Sequence, residues 1–109
     1  MQIDTTGNKL ESAVFTPMDV AHMMAARLNP RAGKKTLDPT CGSGNLLVAC
    51  AEYMLAQGDD PAAIAGSLFG CDIQQEYVDQ CRFRLKQVLG DYPVIDINIG
   101  LYDFLCISS

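Results

Sequence analysis

A short loop in the first half of the chain has the residue types of a ligand site. Residues 38–44 read D-P-T-C-G-S-G, so an aspartate and two glycines lie close together. Glycine at positions 42 and 44 leaves room where a backbone must approach a ligand, and the amides that open a following helix can donate to that ligand. This loop is therefore a candidate binding site.

A dinucleotide is the first ligand to consider, because its phosphates bind glycine-rich turns of this kind. The dinucleotide fingerprint requires a third glycine where this chain has Leu47, and Asp38 would repel a pyrophosphate. A second carboxylate, Asp72, follows the apolar run 68–71 and can accept hydrogen bonds from both hydroxyls of a ribose. These residue types predict a ligand with an adenosine part and a cationic or zwitterionic tail.

The elements that position these residues are predicted from the periodicity of apolar side chains. The pattern indicates strands over 34–38, 67–73 and 94–99, helices that begin at Pro17 and Asn45 and that cover 74–89, and a short helical turn from Pro61 through Ile64. Strands joined by helical crossovers form a parallel sheet, and ligands bind at the carboxyl ends of its strands. Asp38, Asp72 and Asp103 all follow predicted strands, so we expect them at one edge of the sheet.

Two of the helices carry packing expectations. The large apolar side chains of the first helix share one face, which predicts that this face packs on a neighbouring element. They are Val20, Met23, Met24 and Leu28. The helix from Asn45 is apolar nearly all round, which is typical of a helix buried on most sides. His22, the only histidine, is expected to be a partly buried scaffold residue rather than a catalytic one.

Composition limits the class of protein. The chain has 109 residues, enough for one domain, and 49% of them are hydrophobic, enough for a core. The net charge of -5 opposes binding to phosphate backbones, so DNA is expected only with a partner. The cysteines are five, an odd number, without a CxxC pair, so neither disulfides nor a metal site is expected. Because no signal sequence or membrane-length apolar run is recognised, we expect a cytoplasmic protein without membrane contact.

Four short motifs resemble those of one enzyme family. Residues 38–45 are similar to the D-P-[AT]-C-G-S-G-[ND] motif of the S-adenosylmethionine-dependent N6-adenine DNA methyltransferases of restriction–modification systems. Residues 15–17 resemble the F-T-P motif that precedes it, residues 70–73 resemble the G-x-D-I segment, and residues 102–105 are similar to a third acidic motif. The four motifs occur in the order typical of the family.

The resemblance implies a cofactor site for S-adenosylmethionine. The residues that it assigns to cofactor binding are Phe15, Thr16, Asp38, Thr40, Gly42, Gly44, Asp72, Ile73, Asp103 and Phe104. In these roles Asp38 would hold the methionine ammonium and Asp72 the ribose hydroxyls, while Thr16 and the start of its helix would hold the carboxylate. A structural alternative stays open, because aspartate and threonine at these positions can also cap a helix.

The same resemblance assigns the adenine ring to three of these residues. The side chain of Ile73 would pack against the face of the ring, and Asp103 with Phe104 would recognise its edge. Phe104 could instead be a core residue. The resemblance assigns no catalytic residue within this chain and no metal.

One motif of the family is missing from these residues. Family members carry a [DNS]-P-P-[YFW] tetrapeptide that accepts hydrogen bonds from the target adenine and stacks on the flipped base, whereas this chain has no Pro-Pro pair. We therefore expect half of a Rossmann-like methyltransferase fold, α/β with about three parallel strands and flanking helices, over 15–109 after an arm at 1–14. The expected function is S-adenosylmethionine binding or consumption, or one part of a split methyltransferase, without DNA methylation by this chain alone.

The missing half also predicts an interface. In the fold of this family the first strand lies at the centre of the sheet, so here the strand over 34–38 would lie at an edge, and proteins cover or pair exposed edges. We expect a homo-oligomer or a second protein chain at this edge. The alternative function is an interaction protein that mimics a restriction–modification methyltransferase subunit and has a vestigial cofactor site.

Overall fold

The computed structural model describes residues 17–101 of the chain. Its elements are α1 (Met18–Leu28), β1 (Thr36–Asp38), α2 (Asn45–Ala56), α3 (Pro61–Ser67), β2 (Leu68–Asp72), α4 (Gln75–Leu89), α5 (Pro93–Asn98) and β3 (Ile99–Leu101). The predicted arm at 1–14 and four candidate site residues lie outside the described residues. These four are Phe15, Thr16, Asp103 and Phe104.

The three strands form a parallel sheet in the order β1-β2-β3. Asp38 lies opposite Gly70, and Gly70 lies opposite Ile99, so these positions mark one face of the sheet. A Cβ atom on Gly70 would lie 2.7 Å from Cδ1 of Leu47, which shows that α2 packs against this face. The structure confirms the predicted α/β class, with three parallel strands and flanking helices.

The helix predicted to be buried on most sides is α2, and it contributes much of the core. Its buried residues are Leu47, Val48, Ala49, Cys50, Ala51 and Met54. The short turn predicted after Pro61 is α3, whose first turn is capped by Asp60, since this carboxylate accepts a hydrogen bond from the Ala63 N–H at 3.2 Å. Within residues 17–101, no helix combines the length and the apolar character that crossing a membrane requires.

The predicted packing face of α1 is wrong. The large apolar side chains assigned to it are 39–60% exposed, namely Val20, Met23, Met24 and Leu28. The buried residues of α1 are instead Ala21 and Ala25. Because these side chains are small, the backbone of α1 can approach α2 closely, and the larger side chains beside them are left outside the contact.

Two polar contacts also join α1 to α2. Nε2 of His22 lies 2.8 Å from Oε1 of Glu52, and the Tyr53 hydroxyl donates to Oδ1 of Asn29 at 2.7 Å. The His22 side chain is 51% exposed. His22 therefore has a structural contact, but an exposed one rather than the partly buried one expected.

The position predicted for the third strand is wrong. Most of the segment 94–99 is the helix α5, and only its last residue belongs to β3. Ile95 and Ile99, four residues apart, are buried, whereas Ile97 between them is 74% exposed. Arg82 of α4 donates to the carbonyl of Ile99 at 2.8 Å, which helps to fix where the helix gives way to the strand. Tertiary contacts thus override the local alternation of apolar and polar residues.

Candidate functional site

Two carboxylates lie at the carboxyl ends of adjacent strands. Asp38 ends β1 and Asp72 ends β2. Asp38 lies opposite Gly70, so Asp72 is two residues further along and its side chain is on the same face of the sheet. The structure thus brings together two of the residues that the sequence singled out.

Asp38 is a partly buried carboxylate with little to stabilise its charge. Its Oδ1 accepts a hydrogen bond from the Thr40 N–H at 3.2 Å. Burial raises the pKa of Asp38 above its ordinary value, the Thr40 hydrogen bond lowers it, and the negative charge of Asp72 raises it. Within residues 17–101, no lysine or arginine forms an ion pair with Asp38. A carboxylate in this state is stabilised by a cationic ligand.

Asp72 is almost fully buried, with 5% of the residue exposed. Its Oδ2 accepts from the Gly42 N–H at 3.1 Å and its Oδ1 accepts from the Gln74 N–H at 3.0 Å. The structural role expected as an alternative is therefore present, since Asp72 ties the loop to the start of α4. Each carboxylate oxygen has a further lone pair, so these bonds leave acceptor capacity for a ligand hydroxyl.

Both glycines of the loop have a left-handed backbone, with φ of +54° at Gly42 and +93° at Gly44. Side chains are strained at such angles. A Cβ atom on Gly44 would also lie only 2.8 Å from Sγ of Cys81 in α4. Gly44 is thus required for the packing of the loop on α4, a reason that the sequence motif does not reveal.

Two further predicted residues, Thr40 and Ile73, lie at the same edge. Thr40 is exposed in the loop after β1. Ile73 directly follows β2 and is 67% exposed, which is unusual for a large apolar side chain. An exposed apolar residue beside two carboxylates fits a ligand that combines a flat apolar ring with charged groups.

Sequence reasoning missed Arg84. Its Nη1 donates to the carbonyl of Ser43 at 3.0 Å and to Oδ1 of Asn45 at 2.5 Å, so α4 is joined to the loop and to the first residue of α2. In the sequence, Arg84 belongs to the polar side of a helix. The signal that could have found it is its spacing of three residues from Cys81, since this places Arg84 beside the buried face of α4.

Three thiols near the loop, those of Cys41, Cys50 and Cys71, have raised pKa values, which favours their protonated form. The hydrogen bond with the Cys81 thiol is the largest cause that raises the pKa of Cys41, and burial is the second. Burial raises the pKa of Cys50 to about 11 and also raises that of Cys71. Protonated thiols are poor nucleophiles and poor metal ligands. Residues 17–101 also contain no group of three or more histidine, cysteine or acidic side chains arranged to hold a metal ion.

A glycine-rich loop after the first strand of a parallel sheet, with acidic residues at neighbouring strand ends, defines the class of this protein. The described part of the chain is half of a Rossmann-like fold of the methyltransferase type, with three parallel strands and flanking helices. The sequence model of the N-6 DNA Methylase family matches residues 3–102. The chain therefore belongs to the N-6 DNA methylase family, as the four motifs indicate.

The chain is similar to two proteins that are subunits of type I restriction enzymes. It is 32% identical, over 56 residues, to the Type I restriction enzyme MjaVIII methylase subunit of Methanocaldococcus jannaschii, a match that covers 51% of this chain. Its fold is similar to the crystal structure of a modification subunit assigned to a type I restriction enzyme of Vibrio vulnificus YJ016. That match has a TM-score of 0.59 and 26% identity and covers 70% of this chain.

Both relatives are much longer than this chain. The matches span 9% of the methylase subunit and 16% of the modification subunit.

Proposed function

We propose that this chain binds S-adenosylmethionine as the cofactor half of an N6-adenine DNA methyltransferase, and that it does not methylate DNA by itself. The observation that carries the proposal is the state of Asp38. This partly buried carboxylate has a raised pKa, lies near a second carboxylate and has no cationic partner among residues 17–101. Such a site is suited to a ligand that brings its own positive charge.

The residues at this edge fit the chemical groups of S-adenosylmethionine. Asp38 would hold the ammonium group, and the free lone pairs of Asp72 would accept from the ribose hydroxyls. The exposed side chain of Ile73 would pack on the adenine ring. By resemblance to the family, Phe15, Thr16, Asp103 and Phe104 would complete the site. When bound, the cofactor supplies a methyl group on a sulfonium centre.

Methyl transfer to DNA needs groups beyond these. The chain has no Pro-Pro pair and hence no tetrapeptide of the kind that holds the target adenine in family members. Its net charge of -5 also opposes binding to a phosphate backbone. We therefore expect DNA to be bound only together with a partner that supplies the target-binding half.

The first strand offers the place for that partner. β1 pairs with β2 on one side, and within residues 17–101 no strand pairs with its other side. Leu37 in β1 is 58% exposed. An open edge of this kind can accept a strand from a second copy of the chain or from another protein. Both relatives are subunits of restriction enzymes, which favours such an assembly.

A charge on the edge strand should prevent this assembly. We expect the wild-type chain to associate as its concentration rises, and Leu37→Lys to remain a monomer, because a lysine on an edge strand opposes strand pairing. Met23→Lys is the matched control, because Met23 is 60% exposed, about as much as Leu37, but lies on α1 and not on the edge strand. Sedimentation velocity measures the association. A wild-type monomer at every concentration would contradict the homo-oligomer.

Calorimetry tests the cofactor. Titration of the 109-residue chain with S-adenosylmethionine should give micromolar affinity, roughly 8 kcal/mol of binding free energy. Incubation with radiolabelled S-adenosylmethionine and DNA should transfer no label. No detectable binding would refute the proposal and favour the mimic of a methyltransferase subunit, whereas labelled DNA would refute its second half.

A further inference from the structure

Arg84 connects three elements around the cofactor loop. From its position on α4 it donates to the carbonyl of Ser43 at 3.0 Å and to the side chain of Asn45, which opens α2. Its Nη2 also lies 3.5 Å from Sδ of Met18, the first residue of α1. One guanidinium thus joins the loop and the first residues of two helices.

The position of this charge is not explained by helix stability. A cation at a helix N-terminus is opposed by the helix dipole, and Arg84 is hydrogen bonded to the first residue of α2. The planar guanidinium of arginine instead holds several hydrogen-bond donors in fixed directions, and a lysine ammonium does not. The geometry therefore favours a role in fixing the backbone of the loop.

The loop is the part of the site that most needs to be fixed. Ser43 lies between Gly42, whose N–H is held by Asp72, and Gly44, whose N–H donates to Cys41. Glycine has more backbone freedom than any other residue, and a loop that is ordered only on binding lowers the affinity. The Arg84 hydrogen bond to Ser43 holds the one loop residue that stands between the two glycines.

We propose that Arg84 is a positioning residue that preorganises residues 41–45 for the cofactor, a role that rests on the proposed function. It acts through Ser43 and Asn45 and does not itself bind the ligand. Arg84→Met, which keeps the length of the side chain but has no donors, should weaken S-adenosylmethionine binding by about tenfold. Arg84→Lys should restore only part of the affinity, because it keeps the charge but loses the fork.

Hydrogen exchange supplies a readout that does not need the ligand. In the free protein, Arg84→Met should speed the exchange of the amides of residues 42–45. Arg82→Met is the matched control on the same helix, since Arg82 donates to the carbonyls of Asp96 and Ile99 instead. It should leave exchange in the loop unchanged. Should Arg84→Met fail to fold, Arg84→Lys is measured in the same way.

A double-mutant cycle tests the route through Asn45. If Arg84 acts through this side chain, the losses of affinity in Arg84→Met and Asn45→Ala should not add in the double variant. If the wild-type chain does not bind S-adenosylmethionine, both the proposed function and the positioning role of Arg84 are wrong. Wild-type binding with unchanged affinity in Arg84→Met, or unchanged loop exchange, overturns the role of Arg84 alone.

Discussion

The chain has two acidic regions, and they differ in how their charge is compensated. At the contact of α4 with α5, Nζ of Lys86 lies 2.7 Å from Oδ2 of Asp96 and 3.4 Å from Oδ1 of Asp91. At the edge of the sheet, Asp38 and Asp72 lie on neighbouring strands, and neither has a cationic partner within residues 17–101. The first region is an ion pair cluster of the scaffold, and the second is suited to a cationic ligand.

This difference separates a carboxylate that stabilises the scaffold from one that is a candidate for ligand binding. Hydrogen bonding to Asp96 raises the pKa of Lys86, so the ion pair stabilises the charge of this lysine. Burial raises the pKa of Asp38, so its charge is disfavoured in the free protein. A carboxyl group whose surroundings raise its pKa is a recognised feature of functional sites.

The largest effect is expected from a change that disrupts the loop of the second region. Gly44→Ala should lower the free energy of unfolding by about 2–4 kcal/mol, because it combines a strained backbone with a clash against Cys81. Gly33→Ala is the control, since Gly33 has a similar φ of +95° but nothing within 4 Å of the added Cβ. Urea denaturation measures both. If the two variants lost the same free energy of unfolding, the contact between position 44 and Cys81 would be unimportant.

Neutralising Asp38 should separate binding from stability. Asp38→Asn should weaken S-adenosylmethionine binding by about 1.5–3 kcal/mol, because a charge-assisted hydrogen bond is lost. Its stability at neutral pH should be unchanged or higher, since the amide oxygen can still accept from Thr40 and no buried charge is left. Calorimetry and urea denaturation measure the two quantities.

Asp96→Asn is the matched control for that prediction from the first region. It removes the partner of Lys86 and should slightly lower the stability, while the affinity for S-adenosylmethionine stays the same. If both variants lost affinity equally, the distinction between the two acidic regions would be wrong.

The smallest effect is a dependence on pH. Because the folded-state pKa of Asp38 is raised, its contribution to stability is present below the unfolded pKa of about 3.9 and is lost as the pH rises through the folded pKa. Affinity for the cationic cofactor should increase over the same interval, since binding needs the carboxylate. Thermal melts and calorimetry of the wild type and Asp38→Asn between pH 3 and 7 measure both trends. Identical profiles for the two proteins would argue against a raised pKa.

At alkaline pH, we expect the ion pairs of Lys86 in the first region to determine how the stability changes with pH. The pKa of Lys86 is raised by its bonds to Asp96 and Asp91, so its stabilising contribution is present at neutral pH. It is lost as the pH rises above the unfolded value of about 10.4 and through the raised folded pKa. Asp38→Asn should leave this alkaline change intact.

Much of the fold could be predicted from local patterns, and the exceptions have a common cause. The start of α2 at Asn45 follows from the turn residues before it, and the extent of α4 follows, to within one residue, from apolar periodicity. The face of α1 was predicted from its larger apolar side chains, but Ala21 and Ala25 make the buried contact. Which side of a helix is buried depends on the neighbour that packs there, and that neighbour is distant in the sequence.

The site shows the same division. Asp38 and Asp72 could be found from the sequence because each lies at the carboxyl end of a predicted strand, and parallel strands end at a common edge. The spacing of Arg84 from Cys81 indicates only that it lies beside the buried face of α4; its contact with Asn45, 39 residues away, depends on the packing of α4 on α2.

The parallel α/β class, the glycine loop and the family could be read from the sequence alone, because these depend on local propensity and on motifs of adjacent residues. Three features depend on the folded structure: Asp38 has no cationic partner among residues 17–101, Gly44 packs against Cys81, and Arg84 joins the loop to two helices. Charge compensation and close packing depend on groups that are brought together from distant positions, and no local pattern encodes those distances.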